Sequence, residues 1–507
     1  MRFSPATGRS SSPPRNAPLC WTSSWWPEGM NRRFDLNLLG WFAVLLGALL
    51  LVPLPVAVAL GEAAWPFAAS AASAAGVGGI LVALTRTEER RMFPRDAFLV
   101  VACSWFLASL FGALPFVLHR SLGPVDALFE TVSGFTTTGS TVVNDVTALP
   151  RSLLLWRAMT QWLGGMGIIL FAIAVLPLLG IGGMQLFKAE VPGPVTDKVR
   201  PRLTATARVL WLVYVGFTVA ECLALRWCGL GWFDAVCHSL TTLATGGFST
   251  RNASVGEFGS PAVEWVIVVF MLAAGTNFVL HLRLLTGNPR EVLRDQELRL
   301  FGGIVVAASA VTVVSLAASR GVNADVLRGA VFQVVSVVTT TGYVTADFEG
   351  WPHLAQLVLL LLMLVGGMSG STGGGPKVLR LLLAVRALRS TLHRLIRPNA
   401  VVPVKVHGQV VGESVLAGVW AFLVAYALLV ALGGAVMAAC GYDLPTSVSA
   451  ALTAVGNVGP GIGEVGAFDN FAHLPAVAKL VLAGCMLLGR LEIFTILVLF
   501  SRAFWRR

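Results

Sequence analysis

The stretch Thr136-Thr137-Thr138-Gly139-Ser140-Thr141 places hydroxyl side chains around one glycine, between two long apolar runs. Three later stretches are variations on it: Ala244-Thr245-Gly246-Gly247-Phe248, Thr339-Thr340-Thr341-Gly342-Tyr343 and Val455-Gly456-Asn457-Val458-Gly459-Pro460-Gly461. A single loop of this kind is an ordinary polar turn between helices. Four of them, each between a pair of membrane-length apolar segments, predict four loops that meet around one axis.

The composition indicates an integral membrane protein. The chain has 507 residues, of which 56% are hydrophobic and only 12% are charged, whereas a soluble domain has about 25% charged residues. The net charge of +11 lies in short clusters between apolar runs, which is typical of loops on one side of a membrane and not of a nucleic-acid site. The cysteines show no paired spacing, so neither a disulfide framework nor a cysteine metal site is predicted.

We predict an all-α membrane protein in which four tandem helix–re-entrant pore loop–helix repeats surround a central pore. An extra two-helix hairpin precedes the repeats, because its two apolar segments have no Thr/Gly loop between them. The predicted bounds are 1–29 for a disordered extension, 30–95 for the hairpin, 96–205 for repeat 1, 206–300 for repeat 2, 301–405 for repeat 3 and 406–507 for repeat 4. Translation is expected to begin at Met30, where the sequence changes character.

Each repeat is predicted to contain a short pore helix before its loop and a long return helix after it. The pore helices are expected at Asp126–Phe135, Phe233–Thr242, Asp325–Val338 and Thr446–Ala454, and the return helices near 152–182, 261–284, 354–385 and 473–500. Lys and Arg cluster near 86–95, 188–208, 283–299, 377–405 and 502–507, on the side opposite the four loops. By the positive-inside rule, the loops then enter from outside and both termini are cytoplasmic. Because each repeat crosses the membrane twice, all four repeats point the same way, unlike the inverted repeats of many secondary transporters.

The residue types of the loops fit coordination of a monovalent cation. Glycine permits the positive φ angles that turn successive carbonyls toward one axis. Threonine is small, and the absence of formal charge lets an ion leave again. A divalent-cation site would normally contain several Asp or Glu residues, so dehydrated K⁺ fits the loops better.

Two features beneath the loops indicate a point of control. Gly366-Gly-Met-Ser-Gly-Ser-Thr-Gly-Gly-Gly375 interrupts the third return helix, and each glycine costs a helix about 1 kcal/mol relative to alanine. We therefore predict a non-helical segment at membrane depth; the alternative is close helix packing through small residues. Arg490 lies within the last apolar run, where a charge is expected to be functional. Carbonyls of the Gly-rich segment are its predicted partners, and reaching toward the cytoplasmic interface is the alternative. Lys479, in the outer half of the same apolar run, has two possible interpretations. Its charge tunes ion occupancy, or, as we favour, its side chain extends to the membrane–water interface.

Several separated motifs carry a resemblance to a known family. They are the four loops, Gln161-Trp-Leu-Gly-Gly-Met-Gly167, Glu190-Val-Pro-Gly-Pro-Val-Thr-Asp197, Asn277-Phe-Val-Leu-His281, the Gly366–Gly375 segment and Gly489-Arg-Leu-Glu492. Together they closely resemble the Trk-type potassium uptake proteins, the membrane subunit of the Trk/Ktr superfamily, and the hairpin resembles its longer Trk branch. The resemblance implies a homodimer in the bacterial cytoplasmic membrane with a cytoplasmic nucleotide-binding regulatory subunit of the RCK/KTN type. It implies no cofactor, and K⁺ as the bound and transported ion.

The resemblance also assigns roles to individual residues. The implied filter glycines are Gly139, Gly246, Gly342 and Gly459, preceded by the ion-lining residues Thr137 and Thr138, Ala244 and Thr245, Thr340 and Thr341, and Asn457 and Val458. The implied gate consists of Gly366, Gly367, Gly370, Ser371, Thr372, Gly373, Gly374, Gly375 and Arg490. Pro376 departs from the isoleucine that relatives often have there, so the geometry after the gate is not predicted.

Other functions stay open on the residues alone. A proton- or sodium-coupled secondary transporter of K⁺ or another small solute would require intramembrane carboxylates, and Glu221, Glu264 and Glu492 form no cluster in the sequence. A membrane enzyme would need a constellation of His, Cys or acidic residues, but the histidines are dispersed. The sequence does not decide between channel-like and coupled flux, and it does not identify the regulatory nucleotide.

Overall fold

The computed structural model describes residues 31–87, 94–174, 199–400 and 402–505. The predicted extension 1–29 and the motif Glu190–Asp197 therefore lie outside the described residues. Within them the chain is mostly helical, and the predicted all-α membrane architecture is confirmed. A two-stranded ribbon, β1 (Lys405–Val406) with β2 (Gln409–Val410), is the only sheet among these ranges.

The N-terminal hairpin consists of α1 (Arg32–Leu50), the short α2 (Leu54–Ala59) and α3 (Trp65–Leu84). Small residues let α1 and α3 approach closely: a methyl group on Gly78 would lie 2.6 Å from the carbonyl oxygen of Gly40. Such small-residue contacts are typical of helices that pack within membranes. Apolar side chains of the hairpin pack with Phe111, Phe135 and Trp156 of repeat 1. The hairpin is thus attached to the first repeat.

The four repeats follow in the predicted order, and all four pore helices form within two residues of the predicted bounds. Repeat 1 contains α4 (Pro94–Leu118), pore helix α5 (Pro124–Phe135) and α6 (Arg151–Ala174). Repeat 2 contains α7 (Val199–Trp227), pore helix α8 (Trp232–Leu243), α9 (Pro261–Gly275) and α10 (Phe278–Leu285), and the short α11 (Pro289–Arg294) connects it to repeat 3, which contains α12 (Gln296–Arg320), pore helix α13 (Ala324–Val338), α14 (His353–Met363) and α15 (Val378–Ile396). Repeat 4 contains α16 (Glu413–Ala439), pore helix α17 (Leu444–Gly456), α18 (Ala476–Arg490) and α19 (Phe494–Leu497), and α20 (Arg502–Trp505) is the last described helix.

Local sequence explains where the pore helices begin. The side chain of Asn323 accepts a hydrogen bond from the Val326 N–H of α13 at 2.7 Å, and Asp443 caps α17 through Thr446 at 3.2 Å. A capping side chain satisfies an N–H group that has no partner inside the helix. Pro124 begins α5, a position where the missing N–H of proline costs nothing.

The return helices are broken where the sequence predicted continuous ones. The predicted helix 261–284 bends by 103° between α9 and α10, and the predicted helix 473–500 bends by 106° between α18 and α19. At the first break, Asn277 starts α10 by accepting from the Val279 N–H at 2.8 Å. At the second, Glu492 and Ile493 have φ angles of 58° and 53°. In repeat 3 residues 364–377 separate α14 from α15, as the Gly-rich segment predicted. In repeat 1 the return helix α6 is described as far as Ala174.

Six described helices are long and apolar enough to cross a membrane, or eight if each of two bent pairs counts as one span. Many large apolar side chains on their surfaces are exposed, as lipid-facing residues are. The pore helices, in contrast, are buried along most of their length and form the centre of the fold.

Candidate ion pathway

The backbone of the four loops repeats one conformation. After each pore helix, one residue adopts a left-handed conformation, the next has ordinary angles, and a glycine with positive φ follows. The left-handed residues are Thr137 (φ 55°), Thr245 (52°), Thr340 (60°) and Asn457 (54°), and the glycines are Gly139 (85°), Gly247 (76°), Gly342 (79°) and Gly459 (112°). Threonine rarely adopts positive φ, and such strain costs about 1–3 kcal/mol per residue and concentrates at functional sites.

This conformation corrects the predicted register of the second loop. Ala244 caps α8 as Thr136 caps α5, so Ala244 precedes the loop proper. The residues equivalent to Thr137, Thr138 and Gly139 are therefore Thr245, Gly246 and Gly247. The predicted assignment, with Ala244 as ion-lining and Gly246 as the filter glycine, lies one residue out of register with the other three loops. Two adjacent glycines made the sequence ambiguous, and the end of the helix resolves it. The other three loops keep the predicted register.

The four loops form a closed ring. A methyl group on Gly139 would overlap the carbonyl oxygen of Gly246, one on Gly247 that of Thr341, and one on Gly342 that of Val458. One on Gly459 would lie 2.9 Å from the carbonyl oxygen of Thr138, which closes the ring from repeat 4 to repeat 1. Each glycine thus packs against the carbonyl that precedes the glycine of the next repeat, and no side chain fits at these four positions.

Polar side chains link the loops, and none of the residues from Thr137 to Gly139 or their equivalents is charged. Thr136 and Thr138 share a hydrogen bond of 2.8 Å between their hydroxyls, as do Thr339 and Thr341. The Asn457 amide donates to the Thr138 hydroxyl at 2.9 Å, so loop 4 is tied to loop 1. The arrangement can surround a small cation with neutral oxygen atoms.

Gln161 of α6 supports the second loop, a role that was not predicted from the motif Gln161–Gly167. Its Nε2 donates to the Gly246 carbonyl at 2.6 Å, and its Oε1 accepts from the Phe248 N–H at 3.0 Å. Both bonds fix the backbone on either side of Gly247. A buried amide within a membrane-embedded helix was the available signal.

The Gly-rich segment 364–377 lies directly against the ends of the pore helices. The Gly374 N–H donates to the Thr340 hydroxyl at 2.6 Å, and the Thr372 hydroxyl donates to the Leu243 carbonyl at 2.9 Å. A methyl group on Gly374 would overlap the Gly456 carbonyl oxygen and lie 2.9 Å from Cβ of Asn457. The segment therefore contacts repeats 2, 3 and 4 next to the loops.

Arg490 holds this segment in place. The residue is 2% exposed, and its guanidinium donates to the Thr372 carbonyl at 2.8 Å and to the Gly164 carbonyl at 3.2 Å. The first contact is with the segment that the sequence named as its partner, and Arg490 does not reach the interface. Glu492 instead pairs with Arg380 across the break that ends α18.

Comparison with known proteins identifies the family. The family model described as "TrkH: Cation transport protein" matches residues 67–507. The chain belongs to the TrkH family. The Trk system potassium uptake protein TrkH of Salmonella typhimurium strain LT2 is 41% identical over 484 residues, covering 94% of this chain and all of the relative. TrkG of Escherichia coli K12 is 37% identical over 438 residues, covering 85% of this chain and 89% of the relative.

The fold of this TrkH-family chain also matches a solved structure. The crystal structure of the potassium transporter TrkH from Vibrio parahaemolyticus has a TM-score of 0.87 and 37% sequence identity, covering 94% of this chain and all of that one. The predicted family is therefore confirmed, and with it a transport protein in place of an enzyme.

Two lysines of this TrkH-family chain differ from the sequence expectations. Lys479 is 5% exposed, and its Nζ donates to Asp126 at 2.6 Å and to the Ala472 carbonyl at 2.8 Å. Its partner lies in the first turn of α5, so repeat 4 is bound to the pore helix of repeat 1. Lys377, which was counted among the basic loop residues, is buried and donates to the Gly373 carbonyl of the Gly-rich segment.

The three carboxylates that would serve a coupled transporter remain apart. Glu264 pairs with Arg328 at 2.8 Å between α9 and α13, Glu492 pairs with Arg380, and Glu221 is fully buried in α7. In the ranges that the structure describes, no group of three His, Cys, Asp or Glu side chains is placed to hold a metal ion.

Proposed function

We propose that this chain takes up potassium across the cytoplasmic membrane through a selectivity filter formed by the four loops. The observation that carries the proposal is the closed ring, in which the carbonyls of Thr138, Gly246, Thr341 and Val458 each pack against a glycine of the neighbouring repeat. Neutral oxygens bind a dehydrated K⁺ weakly enough to release it. The names of the relatives, all potassium uptake proteins, support the same ion.

The filter residues of this proposal are the predicted set with the second loop in its corrected register. Thr137, Thr245, Thr340 and Asn457 open each loop, and Gly139, Gly247, Gly342 and Gly459 end it. The segment Gly366–Gly375 acts as the gate, because it occupies the space next to the loops while Arg490 holds its Thr372 carbonyl. Opening requires the segment to move away from Thr340 and Asn457.

The loops face the outside and both termini face the cytoplasm, which the distribution of Lys and Arg supports. As the resemblance implies, two copies assemble, and a cytoplasmic RCK/KTN-type nucleotide-binding subunit controls the gate from the basic side. The chain itself carries no nucleotide-binding fingerprint, so nucleotide control requires that second chain.

The test compares K⁺, Rb⁺ and Na⁺ uptake in a bacterium that lacks its own potassium transporters. Wild type should restore growth at low potassium, and Gly139→Ser should lower the preference for K⁺ over Na⁺, because its side chain overlaps the Gly246 carbonyl at a φ of 85°. Gly216→Ser is the matched control, since no atom lies within 4 Å of its added carbon. The filter assignment fails if potassium does not rescue growth or if Gly139→Ser keeps the wild-type ion preference.

The second candidate is proton- or sodium-coupled transport, and the fully buried Glu221 favours it, because an intramembrane carboxyl is by default a functional residue. The same uptake measurement distinguishes the two. Channel-like flux follows the electrochemical gradient of K⁺ and persists when the proton gradient and external sodium are removed, whereas coupled flux stops.

A further inference from the structure

A buried ion pair lies directly behind the first two filter loops. Glu130 of α5 and Arg157 of α6 are 1% and 3% exposed, and their side chains meet at 2.7 Å between Nε and Oε1. Neither residue was predicted from the sequence to belong to the site. Two charges at membrane depth carry a large desolvation cost, which only a good geometry with further hydrogen bonds offsets.

Those further hydrogen bonds go to the filter loops. Glu130 accepts from the Thr141 hydroxyl at 3.0 Å and from the Val142 N–H at 2.9 Å, so its carboxylate fixes the end of loop 1. Arg157 donates to the Thr141 hydroxyl at 3.2 Å and to the Ser249 carbonyl of loop 2, also at 3.2 Å. Its guanidinium lies 4.1 Å from the centre of the Phe248 ring. One guanidinium therefore contacts two adjacent loops.

We propose that Glu130 and Arg157 are positioning residues for ion discrimination, which they exert by fixing the distance between filter loops 1 and 2. This inference rests on the proposed function and adds the residues that set its selectivity. Neither side chain contacts the ion. When discrimination depends on the size of the site, a ring of carbonyls must keep the spacing of its oxygens as a smaller ion enters, and a clamp that joins two loops opposes their movement.

The clamp is confined to one half of the ring. Seven residues before the left-handed residue of each loop, the equivalent positions hold Glu130, His238, Gln333 and Ala450. His238 contacts the Ser249 hydroxyl at 3.0 Å, as Glu130 contacts Thr141. Loop 3 has Val344 in place of Thr141, which offers no hydroxyl to Gln333, and Ala450 has no polar group.

The return helices show the same asymmetry. Glycines of α6, α9 and α18 contact the ends of the pore helices. When the three helices are aligned on those contacts, the equivalent positions hold Gly165, Gly275 and Arg490. Arg157 and Gln161 of α6 then correspond to Ile267 and Met271 in α9, and to Leu482 and Met486 in α18. Only α6, among these three helices, presents polar side chains to the loops. A charged and an amide side chain of α6 therefore contact loops 1 and 2, whereas the equivalent positions of α9 and α18 are apolar.

The experiment uses purified full-length protein in lipid vesicles and measures K⁺ and Na⁺ flux. Glu130→Gln removes the charge but keeps the shape, and Thr141→Val keeps the ion pair but removes its hydroxyl link to loop 1. Both should retain K⁺ flux while the K⁺ over Na⁺ preference falls about tenfold, equal to about 1.4 kcal/mol. Glu264→Gln is the matched control, because Glu264 also pairs with an arginine between a return helix and a pore helix but contacts no filter loop.

Thermal unfolding of each variant separates selectivity from folding. A wild-type ion preference in folded Thr141→Val overturns the inference, as does an equal loss of preference in Glu264→Gln. If neither Glu130→Gln nor Thr141→Val folds, the pair is a folding determinant and the inference is overturned as well. If wild type itself shows no K⁺ preference, the proposed function fails; if wild type prefers K⁺ and both variants do too, only this inference fails.

Discussion

At the residue scale, Arg490 connects the proposed gate to α6, because its guanidinium donates both to the Thr372 carbonyl of the Gly-rich segment and to the Gly164 carbonyl. Removing the side chain leaves both buried carbonyls without that donor, at about 1–3 kcal/mol for each unsatisfied group. We expect Arg490→Ala to release the segment and to raise Rb⁺ flux into vesicles several-fold in the absence of any partner subunit. Arg389→Ala, at an exposed position of α15, is the control and should leave the flux unchanged. Equal flux in wild type and Arg490→Ala across external potassium concentrations would remove Arg490 from the gate.

At the scale of elements, the Gly-rich segment is the part most sensitive to one added methyl group. In Gly374→Ala the new carbon overlaps the Gly456 carbonyl oxygen, so the segment has to move away from the filter, and we expect faster Rb⁺ flux with the ion preference retained. Gly303→Ala in α12 is the matched control, since nothing lies within 4 Å of its added carbon. Wild-type flux in Gly374→Ala would show that the segment does not limit conduction.

Some elements of the fold could be predicted from the sequence and others could not. The pore helices and the broken third return helix were predictable, because hydroxyl residues, glycines and apolar periodicity are local signals. The break at Leu491–Ile493 was not, because no glycine or proline occurs there and tertiary contacts such as Arg380 to Glu492 hold the two positive φ angles. The register of loop 2 failed on a Gly-Gly pair. The Glu130–Arg157 clamp and the Lys479–Asp126 pair join residues far apart along the chain, and single-residue patterns carry no information about such pairs.

At the scale of the whole molecule, the orientation in the membrane decides whether the four loops lie on the external or the cytoplasmic side. Cys440 is exposed at the end of α16, just before pore helix α17, and so lies on the side from which the loops enter. Cys228 is a partly exposed cysteine at the corresponding end of α7, so the test uses a Cys228→Ser background. There we expect a membrane-impermeant maleimide to label Cys440 in intact cells and Cys440→Ser to abolish that labelling. Arg389→Cys in the background that carries both serine substitutions should be labelled only after the cells are permeabilised, since α15 belongs to the basic side. Because every repeat crosses the membrane in the same direction, the opposite pattern would invert all four repeats together. It would place the proposed filter at the cytoplasmic end of the pathway and the basic loops outside, and the proposed control by a cytoplasmic subunit would then fail.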